Sequence, residues 1–292
     1  MNRHLREFDG QLWFKEALVE DYGALMRVDE VLYDEDSDFQ NLLVFENERF
    51  GRVLALDGIV QVALSDEYVY HEMATHPALF AVAEPKRVLV IGGGDGGIIR
   101  EVFRHQSVEK ATLVEIDGDV VEFSKKWFPQ VSGGAFDDPR LDLKIEDGAK
   151  YVAETDDRFD VVIVDSTDPI GPGKVLFTEE FYRDCRRVLN TGGVLVTQNG
   201  LPVFQATELK TAHDRLSSVF AHSSFLVIAI ASYCGGFMTL GFSTDDAAAF
   251  QPDEAAVKAR YDAAGFATKY YTPELQRAAF ALPAFIQHIL RD

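Results

Sequence analysis

From Lys86 onward the chain repeats one unit: a short apolar, β-branched run, a glycine or acidic turn, then a stretch with helical spacing. RVLVIG is followed by GIIREVFRH, ATLVEID by VVEFSKKWF, LDLKIED by GAKYVAET, FDVVIVDS by TEEFYRDCRRVL, and GGVLVTQN by FQATELKTAHDRLSSVF. Continuous apolar strands alternating with amphipathic helices indicate a parallel sheet covered on both faces. SSFLVIAIASYCGGFMTLGFS then reads as two strands about the Gly235-Gly236 turn, an antiparallel edge, and the tail is helical. The expected class is α/β, with a Rossmann-like sheet.

Upstream the period is different. Between Gly23 and about Val62, ALMRVDEVLY, NLLVFEN, RFGRVLAL and IVQVAL alternate with turn signals, among them DEDSD and Asp57-Gly58. This predicts a small antiparallel sheet with hairpins. Ser65 and Asp66 resemble a cap ahead of EYVYHEMATHPALFAV, whose apolar residues recur at helical spacing. The expected division is an N-terminal β domain over residues 1–64 and a Rossmann-like catalytic domain over 65–292.

With 28 basic against 48 acidic residues the formal charge is −20. Such an excess opposes phosphate-neutralising contact with nucleic acid or an anionic membrane, and suits small cationic ligands. Cys185 and Cys234, without CxxC spacing, read as structural thiols and not as a disulfide framework. The start has no apolar signal-type region and the best apolar run, Phe225 to Ala231, is too short to span a bilayer, so a cytoplasmic location is expected.

Four segments carry chemistry. VLVIGGGDGG places Gly92, Gly94 and Gly97 where a strand feeds a helix, so the backbone can turn tightly and admit a ligand to the helix N-terminus. Glu115 ends the next strand, 18 positions beyond Gly97, where a carboxylate can accept from both ribose hydroxyls; Asp117 is the competing candidate. Asp147 and Gly148 follow the third strand, where Asp147 can accept from an adenine amino group or simply cap the next helix. Asp165-Ser-Thr-Asp168-Pro-Ile-Gly-Pro172 ends an apolar strand, the position at which ligands bind in open α/β sheets.

Two other patterns fail as metal sites. His71 and His76 are five apart, not the four of a zinc helix pair, and Asp34, Asp36 and Asp38 lack the glycine and glutamate of a calcium loop. No metal is expected, and Asp34 to Asp38 reads as a solvated loop.

FENERFGRVLALDGIVQ, DEYVYHEMATHPAL, VLVIGGGDGG, LVEID, DSTDPIGP and YYTPELQRAAFALP, in this order, resemble the spermidine synthase family over nearly the whole chain. The resemblance implies transfer of an aminopropyl group from decarboxylated S-adenosylmethionine, a co-substrate and not a cofactor, to putrescine. On the donor side it implies contacts from Gln40, the glycine loop, Glu115, Asp147, Gly148 and Pro172. On the acceptor side it implies Tyr70, His71, Asp165, Asp168, Gln198 and Tyr233, with Asp165 as proton acceptor and a homodimer or homotetramer as the assembly. Asp95, inside the glycine loop, would repel the carboxylate of an ordinary donor and pair with the ammonium of the decarboxylated one. Gln198-Asn-Gly-Leu-Pro departs from relatives that carry a glutamate two residues after the glutamine, which leaves acceptor length open. A nicotinamide-dependent dehydrogenase would explain the glycines and Glu115 but not Asp147 or DSTDPIGP. A methyltransferase shares the fold, yet many have an acidic residue just before the loop, where this chain has Val90-Ile91.

Overall fold

The computed structural model describes residues 2–37, 40–166 and 171–291, with no description of the Pro172 side chain. It divides into two compact units, Met1–Tyr68 with Ala229–Phe237, and Val69–Ile228 with Met238–Asp292.

The first unit holds two antiparallel sheets, not the one sheet that turn spacing suggests. Strands β1 (Leu5–Phe8), β2 (Gln11–Lys15) and β3 (Leu25–Arg27) form the first; β4 (Glu30–Asp36), β5 (Asn41–Asn47), β6 (Gly51–Leu56) and β7 (Ile59–Ala63) form the second. The stretch ALMRVDEVLY is divided because Val28 donates its N–H to Leu12 while Asp29 donates to Glu46, so the chain changes sheets between them. The hairpin before Gly23 turns at Asp9-Gly10, with φ of 51° and 72°, the left-handed pair that Asp-Gly tolerates best. Phe14, Met26, Leu43, Phe45 and Val53 bury one core between the sheets. Asp34 and Asp36 belong to β4 and bond the side-chain amides of Asn2 and Asn41, a correction to the solvated loop; Asp38 lies outside the described residues. Asp66 Oδ2 accepts the Ser232 N–H at 2.8 Å.

In the second unit seven strands run in the order β10-β9-β8-β11-β12-β14-β13. They are β8 (Arg87–Gly92), β9 (Lys110–Glu115), β10 (Leu141–Ile145), β11 (Phe159–Asp165), β12 (Leu189–Gln198), β13 (His222–Ala229) and β14 (Phe237–Thr244). The first five are parallel, and β14 runs antiparallel to β12. Helix α1 (Glu67–Ala81) precedes them; α2 (Gly97–Phe103), α3 (Gly118–Trp127), α4 (Pro129–Ser132), α5 (Gly148–Glu154), α6 (Glu179–Val188) and α7 (Ala206–Val219) lie along the crossovers. The tail adds α8 (Ala247–Phe250), α9 (Glu254–Ala264), α10 (Pro273–Ala279) and α11 (Ala284–Arg291). Leu89, Ile91, Val114, Val162, Val164 and Leu195 meet Phe181, Tyr182, Val188 and Val219 in one core, as strands apolar on both faces require. Among the described residues no helix is long and apolar enough to cross a membrane.

Candidate active site at the ends of the parallel strands

Sheet register brings the sequence motifs to one edge. Gly92 ends β8 opposite Asp165 at the end of β11, Glu115 ends β9 opposite Ile145, and Gln198 lies one residue beyond the pair of Val164 with Thr197. This is the carboxyl edge of a parallel sheet, with β8 at its centre.

Asp165 is the most constrained of these groups. Tyr70 donates its hydroxyl to Asp165 Oδ1 at 2.6 Å, from the first turns of α1, where the ring is buried. Burial pushes the Asp165 carboxyl up to about 6; the Asp95 carboxylate adds to the rise, and Tyr70 and His71 oppose it. The backbone leaves no slack either. A Cβ at Gly92 would lie 2.0 Å from the Asp165 carbonyl, and Gly93 N donates to that same oxygen at 3.1 Å. Glycine is needed at 92 for its φ of 77° as well as for this approach.

Asp95 is shared between two donors. Its Oδ1 accepts the Gly97 N–H at 2.8 Å and so caps the entry to α2, while Oδ2 lies 3.1 Å from His71 Nε2. Burial opposes ionisation of Asp95, but His71, the Gly97 N–H and Arg100 outweigh it and hold the carboxyl below its usual range. Two neighbouring carboxyls are thus driven apart, Asp95 ionised first and Asp165 last, the pattern that separates a charged anchor from a proton acceptor.

On the β9 side Glu115 is buried, and its Oε1 accepts the Asp117 N–H at 3.0 Å. Burial pushes its carboxyl up to about 7. Asp117 caps α3 by accepting the Asp119 N–H, which leaves Glu115 as the carboxylate beside the glycine loop. A Cβ at Gly94 would sit 3.0 Å from Glu115 Oε2. Asp147 does cap α5, accepting from Ala149 and Lys150 through Oδ1. Gly148 has a packing reason: a Cβ there would meet Ile91 Cγ2 at 2.4 Å.

Gln198 is buried at the end of β12, and its Oε1 has no hydrogen-bond partner among the described residues, a poised acceptor for an N–H donor. Asn199 and Gln205 hold the loop behind it, features that residue pattern alone did not single out. Asn199 Oδ1 accepts from Thr197 Oγ1 and Gly241 N, and Gln205 Oε1 accepts the Leu201 N–H at 2.7 Å. At Gly200, φ is 71°, which strains any longer side chain, and a Cβ would lie 2.3 Å from Gln205 Oε1, so Gln205 would have to give up its bond to Leu201.

Gln40 and Tyr233 belong to the first unit. Gln40 donates its N–H to Ser37 Oγ and its carbonyl accepts the Ser37 N–H, and the Tyr233 hydroxyl donates to the Gln61 carbonyl at 2.8 Å. Asp168 and the Pro172 side chain lie outside the described residues. His71 and His76 enter separate networks, with Asp95 and with Glu101 respectively.

Comparison with known proteins gives the family. Residues 67–252 match the family model of the spermine/spermidine synthase domain, and residues 12–63 that of the spermidine synthase tetramerisation domain. The chain is 49% identical over 274 residues to polyamine aminopropyltransferase 1 of Pseudomonas aeruginosa, covering 94% of this chain and 96% of that one. It is 48% identical over 279 residues to a polyamine aminopropyltransferase of a Ruegeria species, covering 96% and 98%. A solved spermidine synthase in complex with the transition state analogue AdoDATO superposes with a TM-score of 0.91 at 39% identity, over 100% of this chain and 98% of that one. Spermidine synthase from Thermotoga maritima gives 0.89 at 37%, with the same coverage. The chain therefore belongs to the spermine/spermidine synthase family and is a polyamine aminopropyltransferase.

Proposed function

We propose that this enzyme transfers the aminopropyl group of decarboxylated S-adenosylmethionine to putrescine, with Asp165 as the proton acceptor. The observation that carries the reading is the buried Asp165 carboxyl, bonded to the Tyr70 hydroxyl at 2.6 Å at the end of β11 and pushed up to about 6. A primary alkylamine has a pKa near ~10 and is protonated at neutral pH, so it has no lone pair until a base takes its proton. Asp165 holds the attacking nitrogen, accepts that proton and offsets the charge that develops. The nitrogen then bonds to the methylene beside the sulfonium, the carbon–sulfur bond breaks, and its electron pair leaves with methylthioadenosine.

Gln198 offers its poised Oε1 to an amine N–H. Glu115 and the glycine loop hold the ribose and donor arm, with Asp147 and Gly148 beside the nucleoside. Asp95, kept ionised by His71, pairs with the donor ammonium and repels a donor that retains its carboxylate. His71 completes the amine side. An oligomeric enzyme goes with this reading, since residues 12–63 match a tetramerisation domain.

Putrescine is favoured because a buried ammonium without a partner costs several kcal/mol, so length is selected by where the far charge lands. One methylene of slack costs only ~1 to 3 kcal/mol, which makes cadaverine the nearest competitor. The test is kcat/KM for diamines of three to six carbons, with agmatine and spermidine alongside. A maximum at four carbons is expected; a maximum elsewhere overturns the acceptor assignment and leaves the transfer chemistry standing.

A further inference from the structure

Away from the strand ends, the second unit buries one more ionisable cluster: His76, Glu101 and His105, at 0%, 2% and 5% exposure. No step of the transfer uses it. His76 Nε2 lies 3.0 Å from Glu101 Oε2, and His76 Nδ1 lies 3.0 Å from His105 Nε2. Glu101 also takes Arg100 Nε at 2.7 Å and Arg104 Nη1 at 2.8 Å. Burial opposes its ionisation, yet His76 and the two arginines outweigh that and hold the carboxyl far below its usual range. Glu101 is therefore an acceptor only, and His76 Nε2 carries the hydrogen between them. Burial keeps His105 neutral. Rings of Phe80, Phe266 and Tyr271 stand 5.3 to 5.9 Å from the His76 ring. Stability alone does not account for such a group, because apolar residues often replace a buried ion pair without loss.

The two helices it joins lead to the site. Five residues before His76, α1 carries His71 and, just ahead of it, Tyr70, the partners of Asp95 and Asp165. Four residues before Glu101, α2 begins at Gly97, where a Cβ would lie 2.3 Å from the His71 ring. α1 and α2 thus meet at two points, one inside the site and one outside it. Just after His76, α1 carries Pro77, whose missing N–H leaves the Met73 carbonyl, one turn earlier, without its usual helical partner. A bend there would swing Tyr70 and His71. Elsewhere on α1, Glu72 accepts the N–H groups of Lys269, Tyr270 and Tyr271, each at 2.8 Å, and Gln276 Nε2 donates to the Pro77 carbonyl. Helix α2 has an anchor of its own, since Arg100 Nη1 donates to the Val131 carbonyl at 2.7 Å.

We propose that His76, Glu101 and His105 are positioning residues: the buried cluster sets the register of α1 on α2, and through it the Tyr70–Asp165 and His71–Asp95 contacts. The proposal rests on Asp165 as proton acceptor. His76→Met suits the test, since methionine packs well among aromatic rings and makes no such hydrogen bond. Because small displacements of positioned groups are costly, kcat/KM for the diamine should fall by roughly 10²-fold, while calorimetric affinity for methylthioadenosine stays as in the parent. The acid limb of the pH profile should also move to higher pH. Of the groups facing Asp165, Tyr70 and His71 depress its titration and are loosened, whereas Asp95, which raises it, remains; Glu115, itself pushed up in part by Asp165, is untouched by the substitution. In a Tyr70→Phe background, His76→Met should produce a much smaller shift, because the hydrogen bond it acts through is already gone. His76→Gln, which keeps a donor toward Glu101, should recover most of the activity. If His76→Met fails to fold, Glu101→Gln is read in the same way. A variant that melts earlier but keeps the parent kcat/KM and acid limb per folded molecule overturns the proposal, as does a shift undiminished in the Tyr70→Phe background. A parent profile whose acid limb survives Asp165→Asn sinks the proton-acceptor assignment instead.

Discussion

Asp165 and Glu115 are pushed the same way by burial, to about 6 and about 7, but the consequences differ. For Asp165 the basic form is needed, so kcat/KM for the amine should fall as pH drops through about 6. Asp165→Asn keeps the size of the side chain and removes the base. Methylthioadenosine binding should survive, and single-turnover transfer should drop by ~10²-fold or more; near-parental transfer would refute the role. For Glu115 the effect falls on stability. Its folded carboxyl titrates above its unfolded one, so folding takes up a proton between the two, and stability is lost as pH rises through about 7. The ionised form then costs roughly 3 kcal/mol, a cost retained for the sake of the ligand. Glu115→Gln should therefore raise Tm at pH 8, with the gain shrinking toward pH 5, while donor affinity falls. Scanning calorimetry at both pH values checks the sign.

At the scale of elements, close packing of helix on strand and helix on helix holds the site together. Gly97→Ala puts a methyl group 2.3 Å from the His71 ring, which is buried and has no exposed end to swing aside. Overpacking of this kind costs about 1 to 3 kcal/mol, and here it would part His71 from Asp95. The variant should fold, melt a few degrees lower, and show a weaker preference for the decarboxylated donor in calorimetric competition. An unchanged preference would mean that the His71–Asp95 pair plays no part in donor choice. The strand–helix alternation was legible from apolar runs alone, because the central strands β8, β9 and β11 are buried on both faces. The sheet change at Val28-Asp29 was not, because it depends on which carbonyl each successive N–H finds.

Across the whole molecule, the charge of −20 surrounds a site that takes a cationic amine and a cationic donor. Attraction at this range is screened by salt, so kcat/KM for the diamine should decline as ionic strength rises while kcat holds. A flat kcat/KM would show that the surface charge serves solubility alone. The residues themselves determined the sheet, its order of motifs, and the placing of Gly92, Glu115, Asp165 and Gln198 at strand ends, since apolar period and turn chemistry act locally. Whether Asp117 or Glu115 faces the loop, and whether Asp147 caps a helix, was decided only by side-chain direction. Only tertiary structure set Asp95 against His71, Tyr70 on Asp165, and the His76–Glu101 pair behind them. Those contacts join residues 24, 95 and 25 positions apart, and their strength comes from burial that no local pattern encodes.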